Sequence, residues 1–221
     1  MNKVRYGDVI VMESCDSDDH LFLGVVPRMK GRRHPLQLST EVAEADKHPG
    51  CDSQWRVLPL AGSKKKWGDP IGFGDRVRLQ MLDCRDQSRM LAVSHLDNRS
   101  IMAERRPPSA ESCTWWLSYS AELAAGRDGR LVPTGDFAPF LEYGDANYVT
   151  FINRAGYLGA IDDPYRILRK RTAVFDDLPE RGMSAWWRIH RSTSDLVSAV
   201  RRELHAAATR GTQAPVLSAA A

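Results

Sequence analysis

The feature that most constrains this chain is a pattern that returns three times. The segments Tyr6-Gly7-Asp8-Val9-Ile10-Val11-Met12, Phe73-Gly74-Asp75-Arg76-Val77-Arg78-Leu79 and Tyr143-Gly144-Asp145-Ala146-Asn147-Tyr148-Val149 open on aromatic-Gly-Asp, at spacings of 67 and then 70 residues. Glycine before aspartate suits a turn, and the β-branched and aromatic residues that follow suit a strand. A second strand-like run comes after each opening, at Leu21 to Val26, Met90 to Val93 and Tyr157 to Ala160. Weaker third runs lie around Pro35 to Thr40, Ser100 to Glu104 and Ile167 to Phe175. Each unit closes on tryptophan, at Gln54-Trp55-Arg56-Val57, Trp115-Trp116-Leu117 and Trp186-Trp187-Arg188-Ile189. Four strands in each of three units predict an all-β chain of twelve strands. The third unit departs from the pattern, with Asn147 where the others have Ile10 and Val77.

Repeats that open on Gly-Asp-hydrophobic and close on a tryptophan strand resemble the β-trefoil domains of the MIR and fascin-like families, over roughly residues 4 to 191. The resemblance implies a six-stranded barrel made from the first and last strand of each unit, capped on one side by three hairpins of middle strands. It carries over no functional residue, because the shared positions are structural. The predicted organisation is a β-trefoil over 1–191, with repeats at about 4–60, 71–119 and 141–191. Segments 61–70, with Lys64-Lys65-Lys66, and 120–139 read as surface loops. Ser192-Thr193-Ser194-Asp195 offers an N-cap, and Leu196, Val200, Leu204 and Ala208 draw one apolar stripe, which predicts a C-terminal helix over 192–210. The Gly, Thr, Pro and Ala content of 211–221 predicts a disordered tail.

Composition narrows the function classes. With 31 basic and 28 acidic residues the formal charge is only +3, so nucleic acid is disfavoured as a partner. No apolar run approaches a membrane span or a signal peptide, and the expectation is a cytoplasmic protein without membrane contact. Cys15, Cys51, Cys84 and Cys113 lack CxxC spacing and read as free, packed thiols. Asp16, Asp18, Asp19 and His20 lack the glycine and distal glutamate of a calcium loop and read as a solvated turn, so neither metal nor cofactor is expected.

Two constellations remain as candidate ligand sites. Successive side chains alternate faces along a strand, so one of each doubled tryptophan points out of the barrel. Alignment on Trp55 makes Trp116 and Trp187 the core members; Trp115 and Trp186 then face outward where the first unit has Gln54, as platforms for sugar or ring stacking. The competing reading is that a loop or the C-terminal helix covers them. The ricin-type signature, with Gln two positions before Trp, is absent. Arg32-Arg33, Arg105-Arg106 and Arg169-Lys170-Arg171 fall between the second and third strands of their units, on hairpins of one cap where they could hold an anion. Charged hairpin turns are also common merely because they are solvated. Three functions follow as expectations. The first is a non-catalytic binding domain, lectin-like or anion- and adaptor-binding, for a small-molecule, glycan or anionic ligand. The second is a small enzyme whose site breaks the symmetry, using Asp16, His20 and His34 or Tyr148, Asn153 and Tyr157. The third is an interaction module that forms a homodimer through its helix.

Overall fold

The computed structural model describes residues 2–15, 22–24, 37–39, 53–82, 89–94, 100–105, 107, 109–120, 123–125, 131–133, 139–144, 148–162, 170–175 and 185–191. Fourteen strands lie among these residues. The first unit contains β1 (Val9–Ser14), β2 (Phe22–Gly24), β3 (Gln37–Ser39) and β4 (Trp55–Pro59). The second contains β5 (Arg76–Met81), β6 (Met90–Val93), β7 (Ile101–Glu104) and, after a 3-10 turn at Glu111–Cys113, β8 (Trp115–Ser120). A short hairpin of β9 (Leu123–Ala125) and β10 (Leu131–Pro133) follows. The third unit contains β11 (Tyr148–Asn153), β12 (Gly156–Asp162), β13 (Lys170–Phe175) and β14 (Trp187–His190).

Pairing closes the first and last strands of the units into a ring, β1-β14-β11-β8-β5-β4 and back to β1, within a twelve-stranded sheet. The middle strands pair as β2–β3, β6–β7 and β12–β13. At the cap β13 meets both β3 and β7, through Arg171 opposite Gln37 and Ala173 opposite Ser100. This is a β-trefoil. The expectation for 120–139 is corrected, since β9 and β10 pair within it. The expected helix over 192–210 and the tail lie outside the described residues.

The aromatic-Gly-Asp motif is a turn whose glycine has positive φ: 96° at Gly7, 87° at Gly74 and 102° at Gly144. Glycine reaches this region without the steric penalty of a Cβ. In the first two copies the aspartate closes the turn, accepting from the backbone N–H three residues earlier, Arg5 N to Asp8 and Gly72 N to Asp75, both at 2.9 Å. Below the turns the three chain segments lock in a cycle. Val4 N donates to Leu141 O at 2.8 Å, Leu141 N to Ile71 O at 2.9 Å and Ile71 N to Val4 O at 3.0 Å. Val4, Ile71 and Leu141 thereby seal the base of the barrel, opposite the hairpin cap.

Three tryptophans fill the core. Trp55, Trp115 and Trp187 are fully buried, and their indole N–H groups donate to Leu23 O, Leu91 O and Leu158 O at 3.0, 3.0 and 2.9 Å. They sit opposite Ile10, Val77 and Val149. Trp115 is therefore the core member of the second unit, and its outward assignment is corrected: the closing strand enters one residue earlier than alignment on the second tryptophan predicts, and a one-residue shift exchanges faces. Trp116 instead lies on the outer wall, half-buried. The same register explains Asn147. The first core residue follows the glycine by three positions at Ile10 and Val77 but by five at Val149, so the third unit carries two extra residues between turn and strand.

Candidate functional site

The predicted sites distribute unevenly. Trp186 and Gln54 occupy equivalent positions before the core tryptophans; both are half-buried, and their carbonyls accept from Cys15 N and Leu82 N at 3.1 and 3.0 Å. With Trp115 inside, the paired outward platform does not form. Arg105 is exposed just after β7, and the backbone of Arg171 lies at the junction of β13 with β3. Arg32, Arg33, Arg106 and Arg169, and likewise Asp16, His20 and His34, lie outside the described residues. Neither Cys15 nor Cys113 is in a disulfide, and burial pushes the Cys113 thiol up. Among the described residues no group of His, Cys, Asp and Glu could hold a metal ion, and no helix is long and apolar enough to cross a membrane.

The two symmetry-breaking residues of the third unit that the structure ties most clearly act in the framework. Asn153 spends its amide on three carbonyls, Glu111 O, Ser112 O and Thr114 O at 3.0, 3.3 and 2.8 Å, fastening β11 to the 3-10 turn. Tyr148 belongs to a polar cluster on the outer wall. Glu13 Oε2 lies 2.8 Å from His190 Nε2 and accepts from Arg188 Nη1 at 3.4 Å; Arg188 Nη2 donates to the Tyr148 hydroxyl at 3.4 Å. Burial of Arg188 works against its charge, yet Tyr148, Glu13 and Cys15 together hold the guanidinium above its usual value. Glu13 and His190 are 4% and 6% exposed, so a reactant has little access to this pair. The cluster cross-links β1, β14 and β11.

A different feature stands out at the base. Trp67 is 62% exposed, the one large hydrophobic side chain so exposed among the described residues. It belongs to Trp67-Gly68-Asp69, a fourth copy of the aromatic-Gly-Asp motif that lies in the linker rather than at the start of a unit. The turn is built as in the repeats: Gly68 has φ of 86°, Lys66 N donates to Asp69 at 2.8 Å, and Asp69 N donates to Lys66 O at 3.1 Å. Tyr6 and Tyr143 bury their rings in the equivalent turns, whereas this copy presents its ring outside. The turn is pinned to the first one by Gly68 N to Tyr6 O at 2.9 Å, Tyr6 N to Asp69 O at 3.0 Å and Arg5 Nη1 to Gly68 O at 2.6 Å.

The indole rests on Gly7, where a Cβ would come within 2.2 Å of its Cε3 atom. The Arg56 guanidinium lies 5.9 Å from the ring centroid. This pair completes a pseudo-threefold set on the outer wall, with Arg76 over Trp116 at 4.4 Å and Arg188 over Tyr148 at 5.5 Å. The cross-strand positions are Val9–Arg56, Arg76–Trp116 and Tyr148–Arg188. Val9 has no ring to offer, so the linker supplies one. Charge at this corner is net positive, with Arg5, Arg56, Lys64, Lys65 and Lys66 against Asp8, Asp69 and Asp75. Asp8 and Asp69 accept from turn N–H groups, and Asp75 does so while also pairing with Lys65 at 2.9 Å. Lys64, Lys66 and Arg56 have no carboxylate partner among the described residues. Sequence reading took 61–70 only as a solvated loop; the missed signal was the fourth aromatic-Gly-Asp immediately after three lysines.

Fold and site together define a β-trefoil with a basic, tryptophan-bearing base. Solved structures similar to it share the fold at low identity. A Caenorhabditis elegans protein of unknown function has TM-score 0.59 and 15% identity, covering 86% of this chain and 97% of that one. The SDF2-like protein from Arabidopsis thaliana has TM-score 0.55 and 17% identity, with 85% and 94% covered. The Saccharomyces cerevisiae protein O-mannosyltransferase Pmt1-Pmt2 complex bound to the sugar donor has TM-score 0.55 and 11% identity, covering 86% of this chain but 25% of that one. No family model and no curated protein matches the sequence.

Proposed function

We propose that this β-trefoil is a non-catalytic binding module that takes an anionic ligand at the base of its barrel. The observation that carries the reading is a set of cations without carboxylate partners among the described residues, Arg56 beside the exposed Trp67 indole and Lys64 and Lys66 on the exposed segment that leads into it. The cations of this corner, Arg5, Arg56, Lys64, Lys65 and Lys66, outnumber the aspartates Asp8, Asp69 and Asp75, so an anion bound there gains net Coulomb attraction. The most buried ionisable pair, Glu13 with His190, is engaged in fastening strands, which favours recognition over turnover. The earlier alternative of a glycan platform at Trp115 falls with the burial of that residue.

Calorimetric titration of the full chain with phosphate, sulfate and a sulfated oligosaccharide tests the proposal. Binding should weaken as salt rises, because the Debye length falls from roughly 30 Å at 0.01 M to about 10 Å at 0.1 M. The double variant Lys64→Ser, Lys66→Ser should weaken it further. Anion affinity that is indifferent to these lysines, in a protein with unchanged melting behaviour, would move the site elsewhere and sink the reading.

A further inference from the structure

We infer that the ligand is a phosphate-bearing ring, its flat face stacked on Trp67 and its phosphate held by Lys64 and Lys66; the inference rests on the anion-binding reading above. The geometry asks for both parts. One region of the indole is spent on Gly7, at a contact so close that any Cβ there would collide with the ring. The ring is thus fixed in position while 62% of the residue stays exposed. A rigid, solvent-facing indole gains by stacking on another ring and not by coordinating a bare anion, for which an aromatic face is electrostatically unfavourable. Arg56 on this ring makes the indole a better partner for an electron-rich or anionic ring system, since its positive charge already draws on the π-cloud.

The phosphate end follows from the lysines. Lys65 is occupied by Asp75 at 2.9 Å, which leaves Lys64 and Lys66 on either side of it in sequence as the available point charges. Ammonium groups of this kind serve phosphate well. The loop that carries them is tied to the barrel by backbone bonds from Gly68, Tyr6 and Ile71, so little ordering is needed when a ligand arrives. The other two outward rings lack this combination: Trp116 and Tyr148 are half-buried, and the carboxylate of Glu13 faces the Arg188 that lies over Tyr148.

Titration of the full chain with adenosine monophosphate, a hexose phosphate, inorganic phosphate and adenosine tests this. At least one phosphorylated ring should bind about tenfold more tightly than either inorganic phosphate or adenosine, the scale of one stacking contact. Which of the two binds identifies a nucleotide or a sugar source. Trp67→Ala should reduce that ligand to the affinity of inorganic phosphate, and Lys64→Ser with Lys66→Ser should reduce it to that of the unphosphorylated ring. Melting temperature checks that the variants remain folded, and Trp67→Phe, which keeps a ring, should retain part of the gain. Equal affinity for inorganic phosphate and both phosphorylated rings overturns the inference while leaving the anion reading intact. Binding of a phosphorylated ring that Trp67→Ala does not weaken also overturns it. Failure of every anion to bind removes both.

Discussion

At the residue scale, one amino acid serves opposite ends in this molecule according to which side of a strand or turn it falls on. Trp55, Trp115 and Trp187 bury their rings completely and still satisfy their N–H groups on leucine carbonyls of the neighbouring hairpins. Trp116 and Trp67 have the same chemistry and lie on the outer wall and the base. For a buried indole, truncation costs packing and strands an acceptor. Trp187→Phe leaves Leu158 O without its donor, which alone costs about 1–3 kcal/mol. Denaturant unfolding should report that loss as a lower midpoint with an unchanged slope. A change within about 0.5 kcal/mol, typical of surface substitutions, would contradict the role assigned to the hydrogen bond.

At the scale of elements, the joint between the third and first units is the one reinforced by charge. Equivalent positions around the ring hold Glu13 and Arg188, Gln80 and Arg56, and Ile152 and Trp116. Only the first of these cross-strand pairs is an ion pair, and it closes the barrel by joining β1 to β14, strands nearly the whole chain apart in sequence. Removing one member of a buried pair leaves the other charge uncompensated. Glu13→Ala is therefore expected to destabilise by about 3–5 kcal/mol, measurable by chemical denaturation, whereas a cost near zero would show the pair to be solvated. The extra hairpin of β9 and β10 sits between the second and third units, outside the repeat, and so had no equivalent from which to be inferred.

For the whole molecule, the base is where the three units meet and where alkaline pH should be felt. Burial raises the Tyr6 hydroxyl, with Asp75 and Asp69 adding to the effect; burial likewise raises Tyr143, whose hydroxyl donates to Asp8 at 2.8 Å. Each phenol holds its proton more tightly folded than unfolded, where it ionises near pH 10. Their contribution to stability is thus complete below about pH 10 and is lost as pH rises from there toward the folded-state values. Unfolding free energy followed from about pH 8 to about pH 11 should be flat and then fall, and Tyr143→Phe should shallow the fall. An unchanged decline in that variant would assign the effect to other groups.

The sequence by itself determined the threefold repeat and the strand-like runs of each unit, because turn glycines and strand-forming residues are local requirements that any copy must meet; the ring-and-cap architecture was implied by the resemblance of those repeats to β-trefoil families, and strand pairing bears it out. It did not determine which of two adjacent tryptophans enters the core. That choice depends on register against β5 and β11, set by hydrogen bonds between residues distant in sequence, and a shift of one residue reverses it. Nor did it reveal that a turn motif shared with the repeats would present Trp67 outward. The same aspartate-closed turn forms at Asp8, Asp75 and Asp69, but the linker copy presents its ring outside the barrel, and only folding brings Gly7 and Arg56 beside it.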